Sequence, residues 1–137
     1  RFVRMVTAAF RYFAQQKGGH LAVISSIAGT KGLGAAPAYS ATKRFQNTYI
    51  DALEQLAHIQ KLPIRFTDIR PGFVATGLLN DGKHYLMLMH TEKVARHIVC
   101  ALEKKKRIVV IDWRYRILVA LWRLIPPFFW KRLPVRN

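Results

Sequence analysis

The chain has 137 residues, of which 51% are hydrophobic and 22% charged, a balance typical of one folded domain and not of a disordered chain. Its 23 lysines and arginines outnumber its 7 acidic residues by 16, so we expect anionic partners such as nucleotide phosphates or acidic lipid head groups. A single cysteine excludes an internal disulfide, and the spacing of the five histidines predicts no metal site.

The predicted elements alternate between helix and strand. Helices are predicted from apolar residues at three- and four-residue steps, and strands from short β-branched apolar runs. In chain order they are a helix at 1–16, a strand at 20–25, a helix at 38–60, a strand at 64–69, a helix at 91–103 and a strand at 108–112. Thr91 is the predicted N-cap of the third helix. This alternation predicts parallel strands joined by helical crossovers, hence an α/β fold.

The chain begins at Arg1 within a segment that already shows helical periodicity. Residues 1–16 have neither the charge pattern and cleavage site of a signal peptide nor the length of a membrane span. We interpret this start as the middle of a helix, and hence the chain as part of a longer protein.

Tyr39 and Lys43 lie one turn apart near the start of the second helix, so we expect their side chains to share a face. A lysine cation about 4 Å from a phenol favours the phenolate by roughly 4 kcal/mol at an effective dielectric of about 20, which suits general acid/base chemistry. A serine at the end of the preceding strand could hydrogen-bond the same substrate oxygen. By spacing alone, the pair also fits a solvated or core helix face.

Three ordered motifs sharpen this interpretation: VISSIAG, YSATK and IRPGFVAT, which begin at Val23, Tyr39 and Ile69. Together they resemble the C-terminal half of a short-chain dehydrogenase/reductase, over roughly residues 1–112. The resemblance implies the C-terminal half of a Rossmann-type, doubly wound parallel sheet. The N-terminal nucleotide-binding half, with its glycine-rich phosphate loop, would precede Arg1, as would the asparagine of the family's proton relay. We therefore expect residues 1–137 alone to be inactive.

The resemblance also implies a role for each motif residue. Ser26 positions the substrate carbonyl, whereas its neighbour Ser25 is structural. Tyr39 is the acid/base, and Lys43 favours its phenolate while binding the nicotinamide ribose. The residues implied to border the nicotinamide of NAD or NADP are Pro71, Gly72, Val74 and Thr76.

Residues 113–137, here the basic-aromatic segment, carry tryptophans at 113, 122 and 130, each followed by a basic residue. Their apolar run of about fourteen residues is too short to span a bilayer, which takes about twenty. One interpretation is contact with a membrane surface or with another subunit. The other is packing over the chain's own substrate pocket.

The resulting hypothesis is an NAD(P)-dependent oxidoreductase that transfers a hydride between nicotinamide and a carbonyl or alcohol. An apolar stretch at 86–89, where the family has its substrate lid, favours a hydrophobic substrate. We expect a cytoplasmic homo-oligomer, dimer or tetramer, with peripheral membrane contact through residues 113–137. The alternative is a non-catalytic membrane-surface or scaffolding protein on a degenerate fold of the same kind. The scattered bases lack a recognition motif, so we expect no nucleic-acid partner.

Overall fold

A computed structural model describes residues 1–72 and 89–135 of the chain. The described elements are α1 (Phe2–Gln15), β1 (Gly19–Ile24), a 3₁₀ turn (Ile27–Gly29), α2 (Pro37–Ile59), β2 (Ile64–Arg70), α3 (Thr91–Glu103), β3 (Ile108–Val110), α4 (Trp113–Leu124) and α5 (Pro127–Trp130). The predicted order of helices and strands is confirmed.

The three strands form one parallel sheet in the order β1-β2-β3. Ile24, the last residue of β1, pairs with Ile69 near the end of β2. Because these strands run in the same direction, the residues that follow them meet at one edge of the sheet. The α/β class is therefore confirmed, and the motifs after β1 and β2 share the edge at which such folds bind ligands.

Helices cover both faces of the sheet because side chains alternate sides along a strand. On one face, α1 and α2 pack on β1 and β2 through a cluster that includes Phe10, Val23 and Ile50. On the other face, α3 and α4 pack against Ile69 of β2 in a second cluster. The result is a three-layer arrangement with the motif-bearing edge between the helical layers.

Most predicted element ends lie within one residue of those in the structure, and two differences have a local cause. The last strand ends at Val110 because Asp112 adopts a φ of +75° and caps α4, its carboxylate accepting a hydrogen bond from the Arg114 N–H at 3.0 Å. The N-cap of α3 is His90, whose side chain makes no capping hydrogen bond, and Thr91 is the first helical residue. A further difference is the 3₁₀ turn within the predicted loop 27–37.

The basic-aromatic segment packs back on the rest of the chain through one side. Tyr115 and Val119 of α4 are buried in the second cluster. The indole N–H of Trp130 donates to the Gly32 carbonyl at 2.7 Å, and Lys31 Nζ donates to the Ile125 carbonyl at 2.9 Å. The outward side of α4 remains exposed. Packing on the rest of the chain therefore buries one face of α4 and leaves the apolar residues of its other face exposed.

Candidate active site

Ser26 lies two residues after the end of β1 and is the N-cap of the 3₁₀ turn. Its side-chain oxygen accepts a hydrogen bond from the Ala28 N–H at 3.1 Å, which caps the turn. Among the residues that the structure describes, none accepts a hydrogen bond from the Ser26 hydroxyl. The next amide, Ile27 N–H, donates to the Pro71 carbonyl at 3.2 Å. The Ser26 turn is thus joined to the loop after β2, with a hydroxyl proton available for another acceptor.

Tyr39 lies in the first turn of α2, where Pro37 favours helix initiation. The Tyr39 side chain is 51% exposed, and Lys43 Nζ lies 5.5 Å from the centroid of its ring. The structure thus brings these two side chains together on one helix face. Within residues 1–72 and 89–135, Lys43 has no carboxylate partner. Its ammonium is therefore available to a ligand beside the phenol.

The turn that carries Ser26 packs directly on the helix that carries Tyr39 and Lys43. Gly29 makes this approach possible, because a Cβ there would lie 2.9 Å from the Lys43 carbonyl carbon and 2.3 Å from the side-chain oxygen of Asn47. Any larger residue would push the turn away from α2. The glycine of VISSIAG therefore sets the spacing between the serine and the tyrosine-lysine pair.

The loop between Ser26 and Tyr39 is anchored on the first turn of α2. The Ser40 hydroxyl donates to the Pro37 carbonyl at 3.0 Å and accepts from the Leu33 N–H at 3.1 Å. The serine of YSATK is buried and contributes this anchor, which fixes the start of the helix on which Tyr39 sits.

Pro71 and Gly72 follow β2 at the same edge of the sheet. Gly72 lies against the ring of Tyr115, since a Cβ at this glycine would come within 2.3 Å of that ring. The basic-aromatic segment therefore forms part of the wall behind the third motif, IRPGFVAT. Val74 and Thr76 lie outside the described residues, as do residues 86–88 of the apolar stretch.

Beneath this edge lies a group of four buried side chains, here the buried polar cluster: Ser25, Asn47, Asp68 and Arg70. One Asp68 oxygen accepts from the Ser25 hydroxyl at 2.5 Å. The other accepts from the Asn47 amide at 2.8 Å and from Arg70 Nε at 2.9 Å. The Asn47 amide also donates to Ser25 at 2.8 Å. The cluster thus ties β1, β2 and α2 together directly behind the Ser26 turn.

Our sequence reasoning missed three of these four residues, Asn47, Asp68 and Arg70, although signals were present. Asn47 continues the four-residue spacing of Tyr39 and Lys43, which places it on the same helix face. Asp68 interrupts an otherwise buried strand, where an acid requires a partner. Arg70, two residues further on, is that partner, because alternate residues of a strand share a face.

The exposed groups at this edge suit the ribose side of a nicotinamide nucleotide. The Lys43 ammonium and the Tyr39 hydroxyl can hydrogen-bond ribose hydroxyls. For metal binding, the described part of the chain contains no group of three histidine, cysteine or acidic side chains.

Comparisons with known proteins agree with this geometry. The family model for the short chain dehydrogenase matches residues 2–85. An uncharacterized oxidoreductase of Mycobacterium tuberculosis is 35% identical over 117 residues, covering 85% of this chain and 46% of that protein. Dehydrogenase/reductase SDR family member 7B of Bos taurus is 32% identical over 147 aligned residues, covering 98% of this chain and 45% of that protein. The chain thus spans about half the length of these curated relatives.

Solved structures show the same fold. A short-chain dehydrogenase from Burkholderia cenocepacia in complex with NADP superposes with a TM-score of 0.80 at 15% identity, covering 98% of this chain and 55% of that one. A 7β-hydroxysteroid dehydrogenase gives a TM-score of 0.68 at 23% identity, covering 90% and 48%. With the family model matched over most of the chain and the motifs at one sheet edge, this chain belongs to the short-chain dehydrogenase family.

Proposed function

We propose that this chain provides the proton-transfer site of a nicotinamide-dependent oxidoreductase that interconverts a carbonyl and an alcohol. When bound, NAD or NADP supplies or accepts the hydride. The chain's own residues hold the substrate oxygen and move its proton. Family membership and the shared sheet edge of the motifs support this function.

The observation that carries the proposal is the contrast between the two adjacent serines. The Ser25 hydroxyl donates to a buried carboxylate oxygen of Asp68, so its proton is committed. Ser26 accepts from a backbone amide, and no described residue accepts its proton. Only Ser26 can therefore donate a hydrogen bond to a substrate oxygen without breaking an existing one.

Tyr39 and Lys43 supply the proton transfer. In reduction, the Tyr39 hydroxyl donates its proton to the substrate oxygen, and in oxidation the phenolate accepts it back. The Lys43 ammonium lies 5.5 Å from the centroid of the Tyr39 ring, so a ligand bound to Lys43 would lie beside the phenol. The half-exposed position of Tyr39 gives the substrate access to that hydroxyl.

The nicotinamide site would combine the Lys43 ammonium with the loop after β2. Lys43 would bind the ribose hydroxyls, while Pro71 and Gly72 would border the ring. We include Val74 and Thr76 of the same motif in this proposal on the resemblance alone.

A hydrophobic carbonyl or alcohol is the proposed substrate class. Support comes from the sequence, in which the apolar stretch at 86–89 falls where the family has its substrate lid.

We also propose that the protein is a homo-oligomer through the outward faces of α1 and α2. Large apolar side chains on these helices are exposed, among them Met5, Tyr12, Phe45 and Ile59. Exposed apolar surface of this kind is typical of subunit contacts. Sedimentation of a Met5→Glu, Phe45→Glu variant tests this contact, and an unchanged mass would contradict it.

The test of function compares the two serines in the longer protein of which we expect this chain to be part, purified and assayed with NADH or NADPH and a panel of hydrophobic ketones and aldehydes. Ser26→Ala should lower kcat by about 10²-fold, the range seen when an oxyanion donor is removed, and should also cost about 1 kcal/mol of stability, because it removes the acceptor of the Ala28 N–H. Ser25→Ala is the matched control and should mainly lower stability, by about 1–3 kcal/mol. No turnover by the wild-type protein, with cofactor and substrate panels exhausted, would favour the non-catalytic scaffold instead.

A further inference from the structure

The outward face of α4 carries an apolar stripe that the fold does not use. Four side chains form this outer stripe, spaced so that they fall on one side of the helix. They are Trp113, Ile117, Leu121 and Leu124, with exposed fractions of 68%, 52%, 56% and 79%. The opposite side buries Tyr115 and Val119. The helix is therefore held in place by one face and presents a second apolar face to the outside.

Arginines line one edge of the outer stripe. Arg116 and Arg123 are seven residues apart, hence on the same side of α4, and both are exposed. Within the described residues, neither forms an ion pair with a carboxylate, whereas Arg114 is paired with Asp112 at 2.8 Å. Residues 113–137 as a whole contain six basic residues and no acidic one.

We infer that the outer stripe docks on the surface of a membrane that contains anionic lipid. An apolar face bordered by unpaired arginines matches both components of such a surface, the acyl chains and the acidic head groups. The twelve residues of α4 extend about 18 Å, so the helix would lie in the plane of the interface. Among the described helices, none is long and apolar enough to cross a bilayer.

Charge argues against a second copy of the chain on this face. Two copies joined stripe to stripe would bring Arg116 and Arg123 of each close to those of the other, in a segment without acidic residues. Like charges at the edge of an interface oppose association. An anionic lipid surface instead gains from the same residues, at about fivefold in affinity for each arginine near the head groups.

Docking would hold the site edge near the bilayer. Tyr115, on the inner face of α4, lies against Gly72. Trp130 and Lys31 join the same segment to the loop between Ser26 and Tyr39. A rigidly attached surface helix therefore gives the proposed site a fixed distance from the membrane, where hydrophobic carbonyl compounds concentrate.

The test is co-sedimentation of the purified protein with phosphatidylcholine vesicles, with and without about 30% phosphatidylserine, at about 0.1 M and about 0.5 M salt. Wild-type protein should pellet with the anionic vesicles at low salt, and less at high salt. Leu121→Ser should weaken binding about tenfold or more. Val99→Ser, at an exposed apolar position of α3 outside the proposed subunit contact, is its matched control and should leave binding unchanged.

A charge-matched pair completes the design. Arg116→Glu, Arg123→Glu should abolish most of the binding. Arg4→Glu, Arg11→Glu makes the same change of net charge at two exposed arginines seven residues apart on α1, and should weaken binding far less. Equal losses in both double variants would overturn the proposal in favour of nonspecific attraction. Absence of vesicle binding would overturn the proposal too. So would a Leu121→Ser variant that changes the self-association of the protein without vesicles but leaves vesicle binding unchanged. Since binding is measured without turnover, the result is independent of the proposed activity.

Discussion

Ser25 and Ser26 are adjacent in the chain, yet they belong to two regions with different physical tasks. Ser25 belongs to the buried polar cluster, where its hydroxyl donates to Asp68 and accepts from the Asn47 amide. Ser26 faces the edge where Tyr39 is half exposed and Lys43 has no described carboxylate partner. The Ser25 hydroxyl thus donates its proton to another protein group, whereas the Ser26 hydroxyl has no acceptor among the described residues.

This difference teaches where stability and chemistry are located. Removing one member of a buried hydrogen-bonded or charged pair is costly, because the other member stays buried without that partner. Groups at the exposed edge contribute little to stability, and their unused donors can act on a ligand. Substitutions in the buried polar cluster should therefore mainly lower stability, whereas those at the exposed edge should mainly lower catalytic activity.

The largest expected loss of stability comes from Asp68→Ala. This change leaves Arg70 buried without its partner, and we expect the free energy of unfolding to fall by about 3–5 kcal/mol. Asp51→Ala is the control, since it removes an exposed ion pair with Arg107 and should cost under about 1 kcal/mol. Urea denaturation measures both. Equal effects at the two sites would remove the distinction between the regions.

A smaller effect is expected at the junction of the edge and the basic-aromatic segment. Gly72→Ala places a methyl group against the buried Tyr115 ring and should destabilise the fold by about 1–3 kcal/mol. Gly34→Ala meets no neighbour within 4 Å and should be nearly neutral. In a Tyr115→Leu background the cost of Gly72→Ala should shrink, as a double-mutant cycle would show. Additive costs would mean that the two residues do not touch.

The smallest expected effect concerns Asp112, whose hydrogen bonds from Arg114 lower its carboxyl pKa from 3.8 to about 2. Because the pKa of this carboxyl is lower in the folded than in the unfolded state, the ionised group stabilises the fold at pH values above its unfolded pKa. That stabilisation is lost as the pH falls from about 4 towards 2. Asp112→Asn keeps the cap and should cost about 1 kcal/mol at pH 7, because Arg114 is partly exposed. Denaturation at several pH values should show that cost shrinking in acid. A pH-independent difference would contradict the ion-pair explanation.

Much of the fold was predictable because the signals were local. Apolar periodicity and short apolar runs predicted each described α-helix and strand of residues 1–112, though not the 3₁₀ turn, and motif order predicted one shared sheet edge. The end of β3 was predicted wrongly, because it depends on the left-handed backbone conformation of Asp112. Two partners of Asp68, Ser25 and Asn47, were not predicted, because they lie more than twenty residues away in the chain and meet Asp68 only through tertiary packing. The inward side of α4 follows from long-range packing on Gly72 and Ile69, which periodicity alone does not reveal.

The central claim is that Tyr39 transfers the proton at an edge that contributes little to stability. The most direct test measures kcat and the unfolding midpoint of Tyr39→Phe together, beside Tyr12→Phe as an exposed tyrosine control on α1. We predict that Tyr39→Phe lowers kcat by about 10² or more, the contribution typical of a general acid/base, with the midpoint unchanged. Wild-type turnover in Tyr39→Phe, or a loss of turnover matched by a loss of folding, would contradict the account.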